Sequence, residues 1–153
     1  MAHSATLLLT RPRAASERFA RQLDHRFDAL KIVISPLMVI DFLELRDLAL
    51  PQTVVFTSRN GVDAWAKAKL ATQSACFCVG TATAKAARAI GFNPFTSGGT
   101  VEHLKADVSK HAPCGDILHV RGRHSRGDLV AHLSRAGLNA RDLIAYEQHL
   151  LQL

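Results

Sequence analysis

Short apolar runs alternate with longer amphipathic segments over the last two thirds of the chain. In each amphipathic segment the apolar residues recur at the spacing of a helix that buries one face. The pattern predicts strands at residues 54–57, 76–79, 93–96, 117–120 and 141–146, and helices at residues 62–70, 82–90, 101–110 and 128–135. Strands separated by helices form parallel sheets that are covered on both faces. We therefore predict one doubly wound α/β domain over residues 51–146.

The first fifty residues show the same kind of pattern, but with fewer elements. A strand is predicted at residues 7–10, a helix on the stripe of Ala15, Phe19 and Leu23, and one long extended segment at residues 31–40. These elements are too few to enclose a core. We expect them to open a second domain whose remainder is absent from this chain.

The composition is that of an ordinary globular protein, with 153 residues of which 48% are hydrophobic and 21% charged. The longest apolar runs are too short to cross a bilayer, and no secretory signal is present. We expect a soluble, cytoplasmic protein with no membrane partner. The cysteines Cys76, Cys78 and Cys114 lack CxxC or HExxH spacing, so we interpret them as core thiols and predict no metal.

The charge favours an anionic partner, since 19 Lys and Arg against 13 Asp and Glu give a net charge of +6. Nucleic acid and a polyanionic small molecule are both compatible with this charge. However, the chain has no basic run, no interleaved aromatic stripe and no RNA-binding signature. We therefore expect a small-molecule partner and no nucleic acid.

Four predicted strand-to-helix loops are rich in glycine and hydroxyl residues, namely residues 58–61, 80–81, 97–100 and 121–127. The last of them holds three arginines, and none contains Asp or Glu. Helix starts with free N–H groups favour anions, although the same residues also serve as ordinary N-caps. Four such loops on one sheet edge favour an anion site. No P-loop, GxGxxG or GxSxG motif specifies which anion.

At these same loops the sequence resembles uroporphyrinogen-III synthase. The matching segments occur in the order of that family. They are Leu-Leu-Leu-Thr-Arg-Pro at 7–12, Ser-Pro-Leu at 35–37, Val-Phe-Thr-Ser-Arg-Asn-Gly-Val at 55–62, Val-Gly-Thr-Ala-Thr-Ala at 79–84, Gly-Gly-Thr-Val-Glu-His-Leu at 98–104, Arg-Gly at 121–122 with Arg126 and Leu129, and Ala-Tyr-Glu-Gln at 145–148. Segments in this order over nearly the whole chain are hard to obtain by chance.

The resemblance implies two flavodoxin-like domains joined by a two-stranded ladder, with the substrate between them. It implies cyclisation of hydroxymethylbilane, a linear tetrapyrrole with eight carboxylates, with inversion of the last ring and without any cofactor. Tyr146 matches the tyrosine proposed to assist departure of the hydroxyl group, and packing at the hinge is its alternative role. The positions implied in substrate binding are Arg11, Thr57, Ser58, Gly80, Thr83, Gly99, Arg121, Gly122 and Arg126.

Measured against the family, the chain is predicted to hold only part of the first domain. We expect an incomplete domain 1 at residues 1–34, ladder strands at residues 35–44 and 143–153, and a complete α/β domain at residues 45–142. Residues 45–146 are expected to fold on their own. Three explanations stay open: a fragment, a natural short form that covers the incomplete domain by forming a homodimer, or a degenerating remnant. The alternative functions are a non-catalytic anion-binding module and, less favoured, a signalling domain, whose acidic pocket is missing here.

Overall fold

The structure is a computed structural model that describes residues 5–24, 27, 30–46, 48–125 and 127–152. The chain divides into two compact units. Unit 1 comprises Met1–Asp41 with Gln148–Leu153, and unit 2 comprises Phe42–Glu147. Within the described part of the chain, no helix is long and apolar enough to span a membrane.

The first elements of the chain lie in unit 1. They are strand β1 (Thr6–Leu9), helix α1 (Arg13–Asp24), strand β2 (Lys31–Ile34) and strand β3 (Met38–Phe42), whose last residue belongs to unit 2. β1 and β2 form a two-stranded parallel sheet in which Leu8 lies opposite Val33. Both of these side chains are exposed, Leu8 by 57% and Val33 by 37%. The homodimer that would cover them stays a prediction.

The single extended segment predicted at residues 31–40 is wrong, because it consists of two strands. β2 ends at Ile34 and β3 begins at Met38. β2 pairs with β1, whereas β3 belongs to the larger sheet. Pro36 lies in the break, and a proline has no N–H to donate to a strand ladder.

Unit 2 contains the remaining elements. They are β4 (Thr53–Phe56), α2 (Arg59–Lys67), β5 (Ala75–Cys78), α3 (Thr81–Ala89), β6 (Pro94–Thr96), α4 (Val101–His111), β7 (Asp116–Gly122), α5 (Leu129–Arg135) and β8 (Asn139–Leu150), which ends in unit 1. All strands and helices predicted here from the sequence are present. α2 begins at Arg59 rather than at residue 62, and β8 is longer than the predicted strand at residues 141–146.

The larger sheet has six strands in the order β3-β8-β7-β4-β5-β6. The last five of these run parallel to one another. β3 runs antiparallel to β8, because the N–H of Leu43 binds the carbonyl of Ala145 while that of Leu151 binds the carbonyl of Leu37. The predicted α/β fold, with a doubly wound parallel sheet, is therefore confirmed.

The core lies on both faces of this sheet, because β4 is buried along its whole length and its side chains alternate between the faces. On one face Phe56 packs against Trp65 and Phe92, with ring centroids 6.0 and 5.6 Å away. On the other face Val55 packs with the apolar residues of α4 and α5. The two layers hold the carboxyl ends of the strands in fixed positions, and the candidate site lies at those ends.

Candidate functional site

The strand order creates a switch point between β4 and β7. The chain adds β5 and β6 on one side of β4, and then adds β7 and β8 on the other. In open parallel sheets, ligands bind outside the carboxyl ends of the strands at such a point, because the connecting helices leave a crevice there. Thr57 and Ser58 follow β4, whereas Arg121 and Gly122 end β7. The structure therefore places four of the residues predicted from the sequence at the crevice position.

Ser58 has two roles at this edge. It is the N-cap of α2 in extended backbone geometry, and its side chain accepts a hydrogen bond from the N–H of Gly61 at 3.3 Å. Its Oγ also lies 2.9 Å from the hydroxyl oxygen of Tyr146, which comes from β8. The cap holds Ser58 at the start of the helix. Ser58 in turn holds the hydroxyl of Tyr146 at the edge of the sheet.

Gly122 makes room for the ring of Tyr146. A Cβ atom at Gly122 would lie 2.6 Å from Cε2 and 2.8 Å from Cζ of that ring. The two residues are register partners in the β7–β8 pair, at a point where the register shifts. The N–H of Arg123 then binds the carbonyl of Tyr146 at 2.9 Å. Tyr146 is only 6% exposed, so its ring is fixed while its hydroxyl reaches Ser58.

Three further side chains, those of Thr57, His119 and Asp142, form a network of polar contacts. The hydroxyl of Thr57 lies 3.0 Å from Nε2 of His119, and Nδ1 of His119 lies 2.9 Å from a carboxylate oxygen of Asp142. His119 is 6% exposed, in the middle of β7. Burial lowers the pKa of His119 below its ordinary value, and the opposing attraction of the Asp142 carboxylate does not reverse the shift. Burial of His119 therefore favours the neutral imidazole.

The four predicted loops contain no carboxylate, but the neighbouring strand β8 supplies two. The Nε atom of Arg121 lies 3.0 Å from Asp142, and Arg123 forms an ion pair with Glu147. Arg121 also donates to the carbonyls of Gly122 and Arg123. The sequence pattern missed these acids because they follow the last helix and so belong to none of the four loops. Both arginines already have partners inside the protein.

Three other nominated residues of unit 2 lie at or just before the starts of α3 and α4. Gly80 is the N-cap of α3 in extended geometry, and Thr83 is buried in the first turn of that helix. Gly99 has a positive φ of 88° in the loop before α4, where the buried hydroxyl of Ser97 has no hydrogen-bond partner among the described residues. By topology these loops lie at the same sheet edge.

Two nominated arginines remain to be described. Arg11 belongs to unit 1, where its guanidinium carbon lies 5.0 Å from the centroid of the Phe19 ring. Arg126 lies outside the described residues. The described residues also contain no group of three or more His, Cys, Asp or Glu side chains arranged to hold a metal ion.

Sequence reasoning did not nominate His119 and Asp142. A signal was present, because a histidine inside an otherwise apolar buried strand needs a polar partner. The pattern could not name that partner, since Thr57 lies 62 residues away from His119 and Asp142 lies 23 residues away. Only the pairing of β7 with β4 and β8 brings the three together.

The sheet defines the class of the protein as a doubly wound α/β protein whose strand order has a switch point between β4 and β7. Comparison with known families then gives the family. The model of uroporphyrinogen-III synthase HemD matches residues 11–152, and the chain belongs to this family.

Solved structures with a similar fold come from the same family. The synthase of Helicobacter pylori is 19% identical with a TM-score of 0.63, over 84% of this chain and 60% of that one. A mutant synthase of Thermus thermophilus is 16% identical with a TM-score of 0.62, over 96% of this chain and 64% of that one. The chain thus spans less than two thirds of the length of these relatives. No curated protein matches it in sequence.

Proposed function

We propose that this chain binds hydroxymethylbilane at the switch-point edge and closes it to uroporphyrinogen III. One observation carries the proposal: in a member of the synthase family, the hydroxyls of Ser58 and Tyr146 lie 2.9 Å apart at the crevice position of the sheet. Tyr146 is the position that the family resemblance implies in the departure of the hydroxyl group. The contact with Ser58 supports a role of this hydroxyl beyond packing.

The proposed chemistry is an elimination followed by ring closure, without a cofactor. The carbon–oxygen bond of the hydroxymethyl group breaks, and the hydroxyl leaves as water with a proton from Tyr146. The N–H of the same pyrrole loses its proton, which balances the one that Tyr146 gave. The resulting azafulvene carbon bonds to a substituted position of the last ring, and the spiro intermediate reopens and recloses with that ring inverted. Holding the flexible chain in one geometry favours this closure.

In this proposal the carboxylates of the substrate bind mainly at helix starts. Arg121 is paired with Asp142 and Arg123 with Glu147, so the positive charge of both arginines is partly neutralised. The starts of α2, α3 and α4 lie at the same edge and have N–H groups that the helices cannot satisfy. Their partial positive charge favours carboxylates.

The proposal is tested by generating hydroxymethylbilane in situ and separating the ring isomers by chromatography. We expect type III product above the spontaneous type I background. Tyr146→Phe keeps the ring against Gly122 but removes the hydroxyl, and we expect type III formation to fall about a hundredfold, the scale of general acid catalysis. A matched control is Thr53→Val, which also removes one buried hydroxyl, but at the amino end of β4, where that hydroxyl has no hydrogen-bond partner among the described residues.

Two results would contradict the proposal. Type I product alone, from protein whose fold is verified by circular dichroism, would exclude the synthase activity. If such a protein still bound the tetrapyrrole, the chain would be a binding module without turnover. Unchanged type III formation by Tyr146→Phe would exclude the proposed role of its hydroxyl while leaving the activity in place.

A further inference from the structure

The network of Thr57, His119 and Asp142 determines where its hydrogens lie. An ionised carboxylate can only accept hydrogen bonds. Since Asp142 lies 2.9 Å from Nδ1 of His119, that nitrogen must carry the hydrogen of the contact. The same carboxylate oxygen accepts from Nε of Arg121 at 3.0 Å, which holds it in place. Asp142 thus selects the Nδ1–H form of the imidazole.

This form decides the direction of the next hydrogen bond. A neutral imidazole has one N–H donor and one acceptor nitrogen, so Nε2 is left as the acceptor. Burial lowers the pKa of His119, in keeping with a neutral ring. The hydroxyl of Thr57, 3.0 Å from Nε2, must then donate its only hydrogen to His119. What Thr57 has left is the lone-pair side of its oxygen.

We propose that His119 and Asp142 fix Thr57 as a hydrogen-bond acceptor at the switch-point edge, so that it binds an N–H group of the ligand and not a carboxylate. His119 and Asp142 act as positioning residues, because neither needs to touch the ligand. Thr57 is half-buried and immediately follows β4, next to Ser58. A carboxylate at Thr57 would face an oxygen with no hydrogen to give, and an unpaired polar contact disfavours binding. The edge then has two kinds of subsite: helix starts for carboxylates and Thr57 for an N–H donor.

The ligand group that fits is a pyrrole N–H. This assignment rests on the proposed function, since a linear tetrapyrrole presents both carboxylates and pyrrole N–H groups. The tautomer of His119 does not rest on the proposed function, because it follows from the contacts of a neutral, buried ring within the protein. The two parts are therefore tested by separate measurements.

The tautomer is measured on the full chain labelled with ¹⁵N-histidine, by two-bond correlation of the ring nitrogens with the ring carbon-bound protons. The His119 signals are assigned by their loss in His119→Gln. We expect a protonated Nδ1 and an unprotonated Nε2 at neutral pH. Thr57→Val should retain this form, whereas Asp142→Asn should lose the preference for it. A hydrogen on Nε2 in the wild-type chain would overturn the proposal. If His119→Gln does not fold, the same result in Thr57→Val would overturn it.

The ligand group is tested with two monopyrroles that carry the same acetate and propionate side chains. One has a free N–H, and the other is its N-methyl derivative. We expect the N–H compound to bind about fivefold more tightly, the effect of one hydrogen bond, and this difference to vanish in Thr57→Val. Equal affinities in the wild-type chain would overturn the assignment of an N–H donor. If neither compound binds, both the proposed function and the assignment of an N–H donor are overturned. The tautomer of His119 is decided separately by the ¹⁵N experiment.

Discussion

Substitution of Gly122 by Ala should displace the ring of Tyr146. The added Cβ would lie 2.6 Å from Cε2 and 2.8 Å from Cζ, whereas carbon atoms pack at about 3.5–4.0 Å. The ring must therefore retreat by about 1 Å. A shift of this size would lengthen the present 2.9 Å contact between Tyr146 and Ser58 beyond the range of a hydrogen bond.

The expected cost combines overpacking and the lost hydrogen bond. Overpacking in a filled site costs about 1–3 kcal/mol, and a net hydrogen bond contributes about 0.5–1.5 kcal/mol. We expect Gly122→Ala to lower the free energy of unfolding by about 2 kcal/mol, measured by urea unfolding. Type III product should decrease together with it, since the hydroxyl of Tyr146 is no longer held.

A double-mutant cycle assigns this cost to the ring. In a Tyr146→Leu background the added methyl group has no ring to displace, so Gly122→Ala should cost less than about 0.5 kcal/mol. An equal cost of Gly122→Ala in both backgrounds would refute the reasoning, as would wild-type stability of the single variant.

Two further predictions concern the polar contacts of the site. The pKa of His119 is lowered in the folded chain, whereas in the unfolded chain it has its ordinary value of about 6.5. Between these two pKa values the unfolded chain binds more protons than the folded chain. The free energy of unfolding should therefore fall as the pH decreases through this window. His119→Gln should remove this part of the slope in urea unfolding at several pH values, and an unchanged slope would exclude the assignment. Ser58→Ala should cost about 1.5–2.5 kcal/mol, since it loses both the N-cap and the contact with Tyr146, against about 1 kcal/mol for Asp128→Ala, which loses the N-cap of α5. Equal costs of the two caps, measured by urea unfolding, would show that the Tyr146 contact adds nothing.

The sequence predicts the larger sheet well because its strands and helices differ in their apolar period. β4 is a continuous apolar run, and Gly91, which follows α3, has the positive φ typical of a residue after a helix end. The apolar pattern predicts the start of α2 three residues late, since Arg59 and Asn60 carry no apolar periodicity. The Ser58 cap marks that start instead.

What the sequence missed depends on pairing between distant segments. The apolar run over residues 31–40 cannot show that its halves join different sheets, because a run contains no information about its partners. The partners of Arg121 and His119 were missed for the same reason, since both pair with Asp142 on a later strand. The loop glycines and hydroxyls were found because N-caps and tight turns have local signals.

The central claim is that the switch-point edge of unit 2 binds a polyanionic tetrapyrrole. The most direct test is a titration of the ¹⁵N-labelled chain with uroporphyrin I, an octacarboxylate porphyrin, followed through the backbone amide signals. The account predicts saturable shifts at residues 58–61, 80–83 and 121–123, at the starts of α2 and α3 and at the end of β7. Shifts confined to other parts of the chain, or no shifts at all, would contradict it.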